Sequence, residues 1–505
     1  MSRKVNTSAI VLFFISILYT CSMNMLNIHA IKKANPTNAE LNARSLVYNA
    51  TIYSIDNYWY LNHVKNYLAT GKFTVDTTKY RYEVRRTPVY PLFYGAHYLM
   101  FGEKGSYISI RYTQTFLLAL AVALLFLAVY NFTGNKTIGL FAALLYGLQP
   151  CVALSAFYTN TESLSSELVC YFLYGLSLCK INPSKKNWLI TGILFALGVL
   201  CRPPIIFLAI SCLFAIFYFN KWNFKNSIIA GVFFTFGAAI LFLPWIIRNY
   251  KITNGDIVFL EKYYGDPMDY GMPNVYLRSW ISCWMNPADF SSEKISNMMM
   301  SNLSNKEPLS KKNIIDSIVN NLPTRALIGN NKTAISSTLS DLYEYYRFKN
   351  LPDFKKQFDS TDIIVTEKMH LLKSNFIKKS AIDYYIITPL LFAKSVIFQS
   401  NSTSITFLDN YQGNYLKIVV KTLLYLINVL SFLSIFFLLF YIRKYFDVYI
   451  ISVFAIACTF LVIIYYLQYF ENRYNFPVYP FMYMLLAVTF YEVYSKIKGK
   501  ISKNQ

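Results

Sequence analysis

Charge is scarce in this 505-residue chain, and acid is scarcer than base. Asp and Glu number 26 against 48 Lys and Arg, charged residues make up 15% of the chain, and the formal net charge is +22. Histidine is rarer still, and His29, His63, His97 and His370 are scattered, which argues against a zinc centre built on imidazoles. His63 lies near Asp56 and could in principle ligate a metal, but it reads more simply as a surface histidine. The eight cysteines include no metal-spaced pair, and only Cys283 falls outside the long apolar runs, so neither a disulfide framework nor a thiolate site is expected. The chain has no P-loop, no dinucleotide fingerprint and no internal repeat, which leaves ATP-driven transport by this chain alone unsupported.

What the chain has in quantity is apolar. Hydrophobic residues make up 55% and aromatics 18%, and the mean hydropathy is +0.33, the composition of a polytopic membrane protein. Runs able to cross a hydrocarbon core of about 30 Å lie near 9–29, 108–130, 137–157, 162–180, 226–247, 418–441, 447–468 and 475–494. Residues 188–219 form one further apolar stretch, roughly 48 Å long as a straight helix at 1.5 Å per residue, too long for one crossing. Proline removes a helix donor and clashes with the preceding turn, so Cys201-Arg202-Pro203-Pro204 divides that stretch into two short spans. The total is ten, against nine if the stretch is one kinked crossing.

Charge bias separates these counts. With ten spans and the N-terminus inside, the cytoplasmic segments hold Arg3, Lys4, Lys136, Lys180, Lys185, Lys186, Lys221, Lys225, Arg443, Lys444, Lys496, Lys498, Lys500 and Lys503. They hold only two acids, Asp447 and Glu492. Nine spans would turn everything after residue 220 outward, including the last eight of those basic residues. The same count explains most of the net charge as a topology signal, and no basic stripe with interleaved aromatics suggests a nucleic-acid partner. Residues 9–29 are longer than a signal-peptide core and lack an evident small-residue cleavage site, so they are expected to stay as the first span.

Three regions follow: residues 1–247, with spans and a first outer loop at 31–107; an extracytoplasmic segment at 248–417; and residues 418–505, three spans and a basic cytoplasmic tail. In the outer loop, helical spacing of aromatic and aliphatic residues from about 41 to 68 predicts a helix lying flat at the interface, ended by Gly71. R-T-P-V-Y-P from Arg86 predicts an extended turn before the chain re-enters the membrane. The segment 248–417 is expected to be mostly helical, with a loose stretch near 295–335 that is rich in Ser, Asn and Lys.

In this topology Asp56, Arg86, Glu162, Arg202, Arg248, Glu471 and Arg473 all fall on the outer side. A charge at the centre of a spanning helix costs about 2.5 to 3.5 kcal/mol, so such a cluster calls for an explanation. Arginines near a bilayer surface suit phosphate oxygens, which their planar guanidinium groups grip in a bidentate fork. They equally suit lipid headgroups or ion pairs with Glu162 and Glu471, and for Arg85 and Arg111 headgroup anchoring is the simpler reading. Asp56, beside aromatic residues, could accept a proton from an attacking hydroxyl. Taken alone it reads first as an N-cap or a solvated loop aspartate.

The order of these pieces resembles the bacterial relatives of the protein O-mannosyltransferases and the lipid A aminoarabinose transferases, membrane glycosyltransferases of the GT-C fold. The resemblance runs from Asp56 and Y-L-N-H-V-K-N-Y-L-A-T-G-K-F through R-T-P-V-Y-P-L-F-Y, Phe101-Gly102 and R-Y-T-Q at Arg111. It continues through T-N-T-E-S-L around Glu162, G-I-L-F-A-L-G-V-L-C-R-P ending at Pro203 and P-W-I-I-R-N-Y from Pro244, and closes with E-N-R-Y-N-F-P-V-Y-P from Glu471. It covers the spans well and residues 250–417 poorly.

The resemblance implies an all-α GT-C bundle with outer-face interfacial helices and a mainly helical extracytoplasmic segment. It implies transfer of a sugar from a polyprenyl phosphate to an acceptor hydroxyl on a protein, lipid or glycan, at the outer face of a bacterial inner membrane. Asp56 matches the family's general base in a single inverting displacement, and Glu162 matches a second acidic position. Arg86, Arg202, Arg248 and Arg473, with Arg85 beside them, match basic positions suited to the carrier phosphate. Asn57 stands where the protein mannosyltransferases have a second acid, so a divalent metal is possible at this point but not indicated. The rival reading is a flippase or transporter of a lipid-linked saccharide. That activity would want its basic residues spread through the membrane, whereas here they gather at one face.

Overall fold

The computed structural model describes the chain apart from residues 1–2, 35–45, 49, 53–55, 76, 78–83, 85, 256, 261–271, 286–291, 306–307, 350–354, 401–413, 468–470 and 502–505. The described chain is almost entirely helical, with one short hairpin of β1 (Leu46–Val47) and β2 (Thr51–Ile52). It divides into two compact units. One comprises Met1–Leu260, Phe398–Phe460 and Asn472–Gln505, and the other Glu261–Ile397 and Leu461–Glu471.

The first unit holds α1 (Arg3–Ala34), α2 (Asp56–Thr70), α3 (Val89–Thr133), α4 (Lys136–Gly147), α5 (Pro150–Ser155), α6 (Thr161–Ile181), α7 (Lys185–Cys201), α8 (Leu208–Phe219) and α9 (Phe224–Ile252). Among the described residues, seven helices are long and apolar enough to cross a membrane: Lys4–Lys33, Val89–Thr133, Thr161–Ile181, Phe224–Ile252, Tyr415–Tyr441, Phe446–Tyr465 and Arg473–Ile501. Ten full-length spans are not seen. The stretch expected to cross at 137–157 is broken into α4 and α5, because Gln149 leaves the helix and caps α5 by accepting from the Cys151 amide, with Pro150 at the first helical position. The expected pair across 188–219 is two short pieces meeting at Arg202. Arg202 is extended at φ −145° and ψ 105°, the conformation that a following proline imposes.

The helices pack through small residues and polar contacts, as apolar surroundings require. At the α7–α9 crossing a Cβ on Gly192 would stand 2.0 Å from the Phe234 carbonyl oxygen, and one on Gly237 would stand 2.2 Å from that of Leu189, so only glycine fits. The almost wholly buried α6 lies against α3 and α7. Asn131 donates to Ser177 at 3.0 Å between α3 and α6, and Ser166 donates to the Phe476 carbonyl at 2.9 Å. At the other end of α6, Lys180 pairs with the buried Asp447 at 2.6 Å.

Two features of the first outer loop differ from expectation. The helix begins at Asp56 rather than near residue 41, because Leu46 pairs with Ile52 and Val47 with Thr51, and the Ile52 amide donates to the Phe157 carbonyl at 2.8 Å. That bond, with Arg111 donating to the Ala50 carbonyl at 3.3 Å, holds the entry to α2 beside α5. Gly71 ends α2 as expected, at φ +74°. The second difference is that α3 starts at Val89, nineteen residues before the expected span, and turns at Gly102, whose φ of 67° and ψ of −173° interrupt the helix.

The second unit has its own core, in which Trp280, Trp284, Tyr345 and Phe376 are fully buried. Its helices are α10 (Met272–Ile281), α11 (Ser292–Ser304), α12 (Lys311–Asn320), α13 (Lys332–Lys349), α14 (Lys355–Lys379) and α15 (Thr388–Ile397), after which the chain continues with α16 (Tyr415–Phe437) and α17 (Phe446–Leu461). The stretch expected to be loose near 295–335 contains α11 and α12. Ser310 caps α12 by accepting from the Asn313 amide, and Ile314, Ile315, Ile318 and Val319 form its buried stripe. Four apolar residues at helical spacing outweigh a composition that reads as loop.

Candidate functional site

The site begins at three helix ends. Glu162 stands in the first turn of α6, Arg202 closes α7, and Arg473 lies in the 3-10 turn (Asn472–Val478) that leads into α18 (Tyr479–Ile501). Glu162 Oε1 receives Arg202 at 2.9 Å and Arg473 at 3.3 Å. The placements of Glu162 and Arg202 suit the local field, since a carboxylate is favoured at a helix N-terminus and a guanidinium at a C-terminus. The Glu162 side chain is 5% exposed and that of Arg202 13%, whereas Arg473 is 32% exposed and stands at the open side. The Arg202 guanidinium also lies 5.3 Å from the centre of the Tyr474 ring.

Arg86 reaches the same place through aromatic residues. Its guanidinium lies 5.2 Å from the centre of the Tyr60 ring, and the Tyr60 hydroxyl is 3.4 Å from that of Thr161, next to Glu162. Thr87 donates to the Cys201 carbonyl at 3.5 Å, next to Arg202. Tyr60 also meets Tyr90 edge to face at 5.5 Å, and the Tyr90 hydroxyl donates to Gln114, which in turn donates to the carbonyls of Ala156 and Tyr158. Tyr90, tied to backbone carbonyls through Gln114, and Tyr60 packed on it thus form a floor beneath Arg86.

The remaining sequence-predicted residues stand as follows. Asp56 is the first residue of α2, with its side chain outside the described residues, and Arg85 lies outside them altogether. Arg248 donates to Asn249 at 2.9 Å and to the Phe73 carbonyl at 3.2 Å, and stacks on Phe73 and Trp245. Those contacts hold the turn after α2. Glu471 belongs to the second unit. Arg111, expected to anchor to headgroups, bonds the Ala50 carbonyl and lies over Tyr112.

Sequence reasoning passed over Glu167, which is fully buried and accepts from Ser163 at 2.6 Å. The signal was available, because T-E-S-L-S-S-E places a second acid inside a span where acids are expensive. It also passed over the partnering of Tyr60 and Tyr474 with arginine. Among the described residues no group of three or more His, Cys, Asp or Glu side chains could hold a metal ion.

The arrangement has one chemical property above the rest. One buried carboxylate faces two guanidinium groups, and a third lies one tyrosine away, so arginine is concentrated at this end of the helices. Fixed, partly dried guanidinium groups at a membrane helix end are a receptor for an anion, and a phosphate fits their fork.

Membrane-length helices that converge on such a cluster define a multi-pass α-helical membrane protein with an anion-ready polar site. Over residues 85–247 the chain matches the sequence pattern of the dolichyl-phosphate-mannose-protein mannosyltransferase family, a stretch that includes Arg86, Glu162 and Arg202. Among solved structures it is similar to ArnT from Cupriavidus metallidurans bound to undecaprenyl phosphate, at 10% identity and a TM-score of 0.35. That likeness covers 93% of this chain and 76% of the other. The apo state of the same ArnT is similar at 12% identity and a TM-score of 0.30, with the same coverage. Likenesses this slight carry no argument of their own, and no curated protein matches the chain.

Proposed function

We propose that this chain is a membrane glycosyltransferase that takes a sugar from a polyprenyl phosphate and passes it to an acceptor hydroxyl. The observation that carries the reading is the gathering of Arg202 and Arg473 on the buried Glu162 with Arg86 one tyrosine away, built partly from the segment with the mannosyltransferase family's pattern. Arg202 and Arg473 grip the carrier phosphate, and Arg86 closes the third side. Glu162 acts as the counter-ion that holds the first two in place, a role different from that of a proton acceptor. Arg248 holds the turn after α2 and is left out of the phosphate set.

In the reaction the acceptor oxygen attacks the anomeric carbon as the bond from that carbon to the phosphate oxygen breaks, with the electron pair leaving on the phosphate. Asp56, at the start of α2, takes the acceptor proton, and attack opposite the leaving group inverts the anomeric centre. Guanidinium groups fixed before the reaction stabilise the charge that grows on the phosphate, an effect commonly worth about 3 to 4 kcal/mol per donor. The site is assigned to the outer face of a cell inner membrane, where nucleotide sugars are absent and a lipid phosphate is a reasonable leaving group. The second unit is assigned to recognition of the acceptor.

The test incubates purified protein with polyprenyl phosphate sugars and follows release of the free carrier phosphate. Release that requires Arg202 and Arg473 supports the proposal. Movement of intact lipid-linked sugar across vesicles without release would make the chain a transporter instead.

A further inference from the structure

The second unit carries an apolar surface that the proposed chemistry does not use. α14 and the helical stretch Asp383–Ile397 meet at a bend of 100°, yet together they are long and apolar enough to count as a broken membrane span. Beyond the bend, Thr388, Phe392 and Val396 stand four apart and are buried. Polar bonds fix that row inward: Thr388 donates to the Cys283 carbonyl at 2.6 Å, and Arg325 donates to Thr388 at 2.9 Å and pairs with Asp383 at 3.1 Å.

The opposite row is therefore held outward. Ile382, Ile386 and Leu390, also four apart, are 65%, 53% and 61% exposed, and Tyr385 beside them is 55% exposed. The row continues to the exposed Lys394, and the exposed Lys378 and Lys379 flank it at the bend. Water makes such a face costly, at about 25 cal/mol for each Å² of apolar surface left uncovered.

We infer that Asp383–Ile397 lies in the surface of the lipid bilayer, with Ile382, Ile386 and Leu390 among the acyl chains and Lys378, Lys379 and Lys394 at the phosphate groups. Two observations select lipid over another protein. The helix packs against Val462–Leu467, the end of the membrane-length helix Phe446–Tyr465, and the Tyr465 hydroxyl donates to the Tyr385 carbonyl at 3.2 Å. The row therefore lies beside the last turns of a helix of membrane length. Its pattern of apolar row, tyrosine and flanking lysines is also that of an interfacial helix.

Two cysteines, Cys21 and Cys458, are partly exposed and six are buried, so full-length protein with those two changed to serine accepts a single added label. Ile386→Cys and Leu390→Cys, each carrying an environment-sensitive fluorophore, are reconstituted into phosphatidylcholine–phosphatidylglycerol vesicles with and without spin-labelled lipid. Ser317→Cys, exposed on α12, is the reference. Several-fold stronger quenching by lipid at 386 and 390 than at 317, with protection from aqueous iodide, is the expected result. Labels at 386 and 390 that spin-labelled lipid does not quench overturn the inference. If they are instead shielded only as protein density rises, the face is a contact between copies of this chain, and the inference equally fails.

Discussion

Replacing Glu162 with glutamine tests whether one carboxylate holds two arginines together. The side chain keeps its size and an oxygen acceptor, but Arg202 at 2.9 Å and Arg473 at 3.3 Å lose their counter-charge. Breaking a buried ion pair by removing one partner costs about 3 to 5 kcal/mol, because the other charge remains in a poor solvent. Arg202, with its side chain 13% exposed, bears most of that cost, whereas Arg473 at 32% is screened by water and adds little. The expected loss is about 3 kcal/mol, or a thermal midpoint lowered by roughly 6 °C at about 2 °C per kcal/mol. If the arginines are a phosphate receptor, the variant has one negative charge fewer beside them and is stabilised more by polyprenyl phosphate than wild type is. The assay is a thermal melt of both proteins in detergent across a titration of polyprenyl phosphate. A variant as stable as wild type, with the same lipid response, refutes both the clamp and the receptor.

Asp56→Asn is expected to abolish release of carrier phosphate while leaving the melt and membrane insertion unchanged; turnover at the wild-type rate removes Asp56 from the reaction. Gly192→Ala sets a methyl group against the Phe234 carbonyl oxygen and should force α7 from α9, with a loss of several kcal/mol of stability or failure to express folded. An unchanged melt would mean the crossing is looser than described. Lys180→Met strands the buried Asp447 and should lower the melt, and adding Asp447→Leu should restore most of the loss; no rescue would show the pair to be independent. Burial pushes the Cys283 thiol up to about 12 against an ordinary 9.0, with Lys373 opposing the shift. The thiol therefore stays neutral in the fold, its contribution to stability is full below pH about 9, and it fades as pH rises toward 12. Maleimide should label Cys283 only on unfolding, and rapid labelling of folded protein at pH 8 would contradict its burial.

Hydropathy was enough for the seven long spans, because about twenty consecutive apolar residues have few other uses. Local stereochemistry was enough for the break at Arg202 and the end of α2 at Gly71, since a proline pair and a glycine act on their immediate neighbours. The start of α2 could not be read this way. Helical spacing extends back to residue 41, but the Ile52 bond to Phe157 takes the backbone of the earlier residues into a hairpin, and that partner is distant in sequence. The helix α12 failed differently, its four buried positions hidden by the serines, lysines and asparagines around them.

The same distinction runs through the site. Each arginine was visible as a charge that the membrane tolerates poorly, so residue type alone made Arg86, Arg202 and Arg473 candidates. What residue type could not say is which acid they share. Glu162 meets Arg202 and Arg473 only because α6, α7 and the turn before α18 end at one level, whereas Arg248 bonds the Phe73 carbonyl after α2 and stacks on Trp245 of its own helix. The count of charges gathered at one place therefore decides the chemistry. Seven outer landmarks would have been a mixed surface, whereas one buried carboxylate against two arginines, with a third nearby, is the arrangement on which the proposed phosphate contacts rest.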